Sequence, residues 1–206
     1  MNPQLQQILL KSLELFLRFG VKNLTMDEIA RELGMSKKTI YQYVENKSDL
    51  VFKATQAYLL HEAEEVDKII KTSKNAVEEI LRMIGYISHH LKEFNPAAFH
   101  DLQKYYPESF VLFNDYRQKN LLKIIQNNIA NGVSEGLYRD NLDADIIAKI
   151  YIQAADILID EQWFPSKKYS FVTIYKEFAN YHLRGIVSPK GLKYLEQNNL
   201  LKTLQS

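Results

Sequence analysis

Apolar positions recur at helical spacing along almost the whole chain and divide it into a row of amphipathic helices. The first is predicted over residues 3–19, where Leu5, Ile8, Leu9, Leu13, Phe16 and Phe19 form one stripe that Gly20 ends. Between residues 25 and 50 the punctuation is denser. Thr25, with Glu28 three residues on, has the form of a capping box, and Ile29, Ala30 and Leu33 make the apolar stripe behind it. Gly34 stops that helix where a positive φ is cheap, and Ser36 caps another over residues 37–43, with Ile40 and Val44 four apart on its inner face. A longer helix is expected from residue 47 to about 71, with Ser48 and Asp49 complementing the dipole at its first turn. Further helices are predicted over 74–93, 97–105, 107–135, 143–163 and 168–185, separated by Asn95-Pro96, Pro107, Gly136, Asn141 and Pro165. A last one is expected over 189–198, capped by Ser188 with Pro189 at its first position. The pattern predicts an all-α fold of nine or ten helices in two parts: an amino-terminal three-helix helix-turn-helix domain (1–46), then a helical bundle (47–206) joined to it by the helix over 47–71.

Composition narrows this picture. Only 7 Gly and 5 Pro in 206 residues favour long helices over a turn-rich β fold. With 46% hydrophobic and 25% charged residues, the chain has the make-up of an ordinary globular protein. No apolar run reaches membrane-spanning length and the amino terminus has no signal-peptide pattern, so a cytoplasmic protein with no membrane partner is expected. The absence of cysteine excludes disulfides and thiolate metal sites. A net charge of +1 is not that of a protein that coats nucleic acid. Residues 1–60 carry eight Lys and Arg against six Asp and Glu, a small excess. Any affinity for DNA must come from placing a few cations well, here Lys37, Lys38 and Lys47, doubled in a dimer.

The chemistry concentrates on the short helix over 37–43. It turns Lys37, Lys38, Thr39, Tyr41, Gln42 and Tyr43 outward, a set suited to the major groove: amides and hydroxyls meet base edges while ammonium groups hold phosphates. A pair of lysines alone would describe any solvated helix face. The capped, glycine-broken pair of helices around them separates a DNA reader from that alternative.

Together with residues 1–24, this stretch resembles the DNA-binding domain of the tetracycline-repressor family of bacterial regulators. The resemblance runs from Phe19-Gly20 through Thr25, Ile29-Ala30, Gly34, Ser36, Thr39-Ile40-Tyr41, Tyr43 and Lys47 to Leu50. Ile40, Val44 and Met35 depart from the commoner leucine, phenylalanine and valine but stay apolar. By this resemblance Thr25, Lys37, Lys38, Thr39, Tyr41, Gln42, Tyr43 and Lys47 are the DNA-binding residues. Thr39, Tyr41, Tyr43 and Lys47 would hold phosphates, and Lys37, Lys38 and Gln42 would lie nearest the bases. The resemblance also implies an effector cavity within the following helices, for which Tyr58, His61, Tyr86, Phe94, Phe99, Phe113, Tyr116 and Trp163 are the candidates, beside simple core packing. So many aromatic side chains favour a small, mostly apolar effector.

The segments over 143–163 and 168–185 are apolar on more than one face, with Ile146, Ile147, Ile150, Tyr151, Ala154, Ile157 and Leu158 followed by Phe171, Ile174, Tyr175, Phe178 and Leu183. A helix with two apolar sides is central or shared with a second copy. In the resembled family this region forms a four-helix dimer interface, so a homodimer through about 143–185 on a near-palindromic double-stranded operator is expected. No cofactor or metal is expected. His89 and His90 are adjacent and diverge on a helix, and His61 with Glu65 reads as a surface pair. Asp156, Asp160 and Glu161 fit a solvated edge rather than acid chemistry, and no nucleophile elbow or phosphate loop occurs. The expected function is a homodimeric repressor that a small molecule releases from DNA, and not an enzyme. The alternatives are an all-α enzyme or lipid carrier without DNA binding, and a DNA-binding activator.

Overall fold

The computed structural model describes residues 2–90, 92 and 94–197. Among them the only β pairing is a single antiparallel bridge between Tyr138 and Val187. In chain order the helices are α1 (Pro3–Phe19), α2 (Met26–Leu33), α3 (Lys37–Ile40), α4 (Lys47–Thr72), α5 (Ala76–His90), α6 (Ala97–Tyr105), α7 (Pro107–Tyr116), α8 (Leu122–Ser134), α9 (Ala144–Leu158), α10 (Phe171–Ile186) and α11 (Pro189–Gln197). A π-helical turn, Arg117–Leu121, joins α7 directly to α8, so the helix expected over 107–135 forms with an irregular turn inside it. Residues 91, 93 and 198 of the expected helices lie outside the described residues.

The chain divides into two compact units. One is Met1–Glu64 with Glu93–Tyr116; the other is Glu65–Lys92 with Arg117–Ser206. The boundary expected at residue 46 therefore falls inside the first unit, because α4 as far as Glu64 and helices α6 and α7 belong to it.

In the first unit Asn2 caps α1, its Oδ1 accepting from the amides of Gln4 at 2.8 Å and Leu5 at 3.4 Å, and Pro3 stands where no amide hydrogen is needed. Ile8, Leu9 and Phe16 of α1 join Val21, Ile29, Leu33, Ile40, Val44, Leu50 and Val51 in one core. Phe19 does not: it is 48% exposed, with the Arg18 guanidinium 5.0 Å from its ring centroid. Gly20, next in sequence, has φ 80° and ψ 162°, a conformation open almost only to glycine.

In the second unit Val77, Ile80, Ile84, Ile129, Ala148, Ile152, Ala179 and Leu183 form a larger core drawn from α5, α8, α9 and α10. A buried polar knot lies within it. Asn128 donates to the Ala76 carbonyl and to Glu79 Oε1, each at 2.9 Å, and the Tyr138 hydroxyl is 3.0 Å from Asn128 Oδ1. The Tyr138 ring lies against Gly132, where a Cβ would come within 2.1 Å of a ring carbon. Burial pushes the Glu79 carboxyl above its ordinary range, with the Asn128 amide partly opposing this.

The later helices are shorter than their apolar patterns predict. α9 stops at Leu158 because Asp160 turns back on the chain, its Oδ1 accepting from the Gln162 amide at 2.8 Å. α10 starts at Phe171 rather than 168 because Ser170 is its cap, accepting from the Thr173 amide at 3.2 Å. The two-sided pattern of α9 is real. Ala148 and Ile152 are buried, while Ile146, Ile150 and Ile157 are 54%, 56% and 57% exposed on its other side. Buried Arg117, at the start of the π turn, reaches α9, donating to Asp156 Oδ1 and to the Ile152 carbonyl, each at 2.8 Å. No helix among the described residues is long and apolar enough to cross a membrane.

Candidate nucleic-acid interface

The candidate reading segment is set by caps at both of its helices. Thr25 and Glu28 form the reciprocal box: the Glu28 carboxylate accepts from the Thr25 amide at 2.7 Å, and Thr25 Oγ1 accepts from the Glu28 amide at 3.2 Å. The Thr25 amide and the Thr25 hydroxyl, both donating to the Glu28 carboxylate, lower its pKa. Gly34 closes α2 at φ 65°, in the left-handed region. Ser36 caps α3, accepting from the Thr39 amide at 3.1 Å, and Ile40 is fully buried beneath the outward side chains.

The α-helix proper ends at Ile40, four residues after the cap, and not at residue 43. Residues 41–43 continue as tighter turns, with the Gln42 amide bonded to the Thr39 carbonyl and the Tyr43 amide to the Ile40 carbonyl. Lys38, Tyr41 and Gln42 are exposed on this segment, Tyr41 by 44%.

The other five residues expected at DNA are engaged within the protein. Lys37 Nζ is 3.0 Å from Asp27 Oδ2 at the start of α2, which raises its pKa. Thr25 and Thr39 serve the caps, Thr39 Oγ1 lying 2.8 Å from Ser36 Oγ. The Tyr43 hydroxyl donates to Gln4 Oε1 at 2.7 Å, tying the end of the segment to α1. Lys47 points its ammonium at the carbonyls of Val21, 2.6 Å away, and Lys22, 3.2 Å away. Burial lowers its pKa, opposed by the charges of Asp101 and Glu28.

Three supporting residues carry no signal of function in the sequence. Asn46 caps α4 through the Asp49 amide at 3.0 Å. Lys53 holds the Tyr43 carbonyl at 2.9 Å and Asp49 at 2.8 Å; only its i,i+4 spacing from Asp49 is visible in sequence. Buried Asp101 of α6 accepts from the amides of Val21 and Lys22 across some eighty positions of chain, beyond the reach of any local pattern.

The candidate effector residues scatter. Phe99 meets Phe113 edge-on at 5.9 Å in the first unit. There too Tyr58 and Phe94 are half-buried, and the Tyr116 hydroxyl is buried without a hydrogen-bond partner among the described residues. Exposed His61 borders a groove of about 450 Å³ between α1 and α4, lined by Leu5, Leu9, Leu10, Ala57 and Leu60. Tyr86, in the second unit, packs on Val66, Ile69 and Met83. Trp163 is 71% exposed, because the chain has already left α9 when it is reached. Glu65, the expected partner of His61, pairs with Lys68 at 2.6 Å, and no group of three metal-ligating side chains occurs among the described residues.

Comparison with known proteins gives this geometry its context. The family model for bacterial regulatory proteins of the tetR family matches residues 8–54, the span from α1 into α4. Residues 8–54 thus carry the tetR-family likeness, from α1 into the start of α4. The matched span holds the helix-turn-helix formed by α2 and α3 with its following turn. The chain is 22% identical over 199 residues to the fatty acid metabolism regulator protein of Bacillus subtilis, covering 90% of this chain and 96% of that one. A TetR-family transcriptional regulator from Agrobacterium tumefaciens shares its fold with a TM-score of 0.75 at 19% identity, over 91% of this chain and all of that one. The FadR regulator of Bacillus subtilis, solved with stearoyl-CoA, gives 0.62 at 19% identity over 87% of this chain and 98% of that one.

Proposed function

We propose that this chain is a tetR-family regulator, a homodimeric, cytoplasmic repressor that holds a near-palindromic operator and is released by a small, mostly apolar effector. The observation that carries the reading is the display of Lys38, Tyr41 and Gln42 on a segment whose two helices are capped and whose inner residue, Ile40, is fully buried. Such a segment reads only a few base pairs, so useful specificity calls for two copies. The exposed row Ile146, Ile150 and Ile157 on α9, with Tyr181 of α10 at 79% exposure, supports pairing through about 143–185.

In this reading residues 1–46 meet DNA and 47–206 take the effector and the second copy. The effector acts by shifting populations. It favours a spacing of the two reading segments that no longer matches successive major grooves, about 34 Å apart. Its affinities for the two states differ by a few kcal/mol. A fatty acyl group is the class to test first, since the fatty acid metabolism regulator and the stearoyl-CoA complex are both among the relatives.

The test is enrichment of random duplexes on the purified protein, followed by titration of variants against the enriched sequence and its single-base changes. Lys38→Ala and Gln42→Ala should alter base preference, whereas Tyr41→Phe and Lys47→Ala should weaken every sequence alike. Stearoyl-CoA is then added to the complex. A wild-type protein that enriches no duplex refutes the DNA reading. Uniform loss in all four variants refutes the division of roles.

A further inference from the structure

The loop between α1 and α2 is gripped from two sides by charges that come from two other helices. On one side Asp101 Oδ2 of α6 accepts from the amides of Val21 at 2.9 Å and Lys22 at 2.7 Å. On the other the Lys47 ammonium, at the start of α4, donates to the carbonyls of the same two residues. Asp101 is 8% exposed and Val21 2%, so the bond between them is shielded from water, while the bonds to Lys22 lie nearer the surface.

Gly20 makes the arrangement possible. A Cβ there would lie 3.1 Å from Asp101 Oδ2, and its backbone conformation excludes side chains in any case. A second tie runs beside the first, the Asn95 amide donating to the Leu17 carbonyl at 2.8 Å at the carboxy-terminal end of α1. Three residues past Lys22 comes Thr25, the cap of α2, and α2 packs on α3. The gripped loop is therefore the mount of the reading segment.

We infer that Asp101 is a positioning residue for operator binding: α6, through this one carboxylate, sets the pose in which α2 and α3 reach DNA, and loosening the grip weakens the operator complex. The inference rests on the DNA reading proposed above and adds the residue through which the chain beyond α5 controls it. It also requires reciprocity. If the grip favours DNA binding, bound DNA must tighten the grip.

The experiment uses the full-length protein, with Asp101→Ala and the milder Asp101→Asn, which keeps an acceptor but loses the charge that faces Lys47. Hydrogen exchange is followed in the peptide that holds Val21 and Lys22, with and without the enriched duplex, beside operator affinity and thermal unfolding. In the wild type, DNA should slow exchange at these two amides. In Asp101→Ala exchange should quicken and operator affinity fall about tenfold or more, with Asp101→Asn between, while the core peptides of α8 and α9 are unchanged. Exchange that quickens with operator affinity intact, or wild-type amides indifferent to DNA, would show a merely structural contact and overturn the inference. Unaltered exchange in Asp101→Ala overturns the grip itself. A wild type that enriches no duplex is the failure of the DNA reading, and the exchange rates without DNA still decide whether the grip exists.

Discussion

Acid should destabilise this protein through one imidazole. His182 of α10 lies with its ring centroid 4.7 Å from that of Tyr151 and 6.0 Å from that of Phe178, and burial lowers its pKa to about 4. In the unfolded chain the same group titrates near 6.5, at roughly the free-histidine value. Between those two values the unfolded chain binds a proton that the folded chain refuses. Stability then falls as the pH drops through 6.5 and levels off below 4. Each pKa unit corresponds to about 1.4 kcal/mol, so the whole shift amounts to about 3 kcal/mol, of which about 2 kcal/mol is lost between pH 7 and pH 5. Urea unfolding at constant ionic strength, followed by circular dichroism at both pH values, measures the loss. His182→Phe, which keeps an aromatic ring between Tyr151 and Phe178, should lose about 2 kcal/mol less than the wild type. Glu79, whose carboxyl is pushed up by burial, titrates in the opposite sense and is common to both proteins, so it cancels. Equal losses in the two proteins would refute the assignment.

Two further substitutions probe packing and capping. Gly132→Ala puts a methyl group within 2.1–2.6 Å of three Tyr138 ring carbons, so it should cost about 3 kcal/mol or more in urea unfolding, and Gly132→Ala with Tyr138→Leu should recover part of it. Thr25→Ala removes one half of the capping box and should cost about 1 kcal/mol, read as a lower midpoint of thermal unfolding.

The frame of the fold was legible because short-range rules set it. The box at Thr25 and Glu28, the left-handed Gly34 and the Ser36 cap are all local chemistry, and each stands where the pattern placed it. What escaped was decided by partners distant in sequence. Lys47 reads as a surface cation until the Val21 and Lys22 carbonyls are found beside its ammonium. Nothing in the sequence around Asp101 marks a partner until the α1–α2 loop is seen against it. The ends of α9 and α10 were overrun because apolar spacing continues past Asp160 and begins before Ser170, and periodicity does not register a side chain that takes a backbone amide. The aromatic residues gave the least. Trp163, Phe99 and Tyr86 are the same kind of signal in sequence, yet one is at the surface, one in a ring cluster and one in a small core of the other unit.

The cations around the reading segment have a consequence for how binding responds to its medium. Lys37 is held by Asp27, Lys47 by two carbonyls, and Lys53 by Asp49 and the Tyr43 carbonyl. Ammonium groups already satisfied in this way displace few condensed ions when a duplex arrives, and the dependence of affinity on ionic strength scales with that number. Operator affinity should then fall less steeply with added potassium chloride than the number of nearby lysines suggests, Lys38 being the cation left exposed on the segment itself.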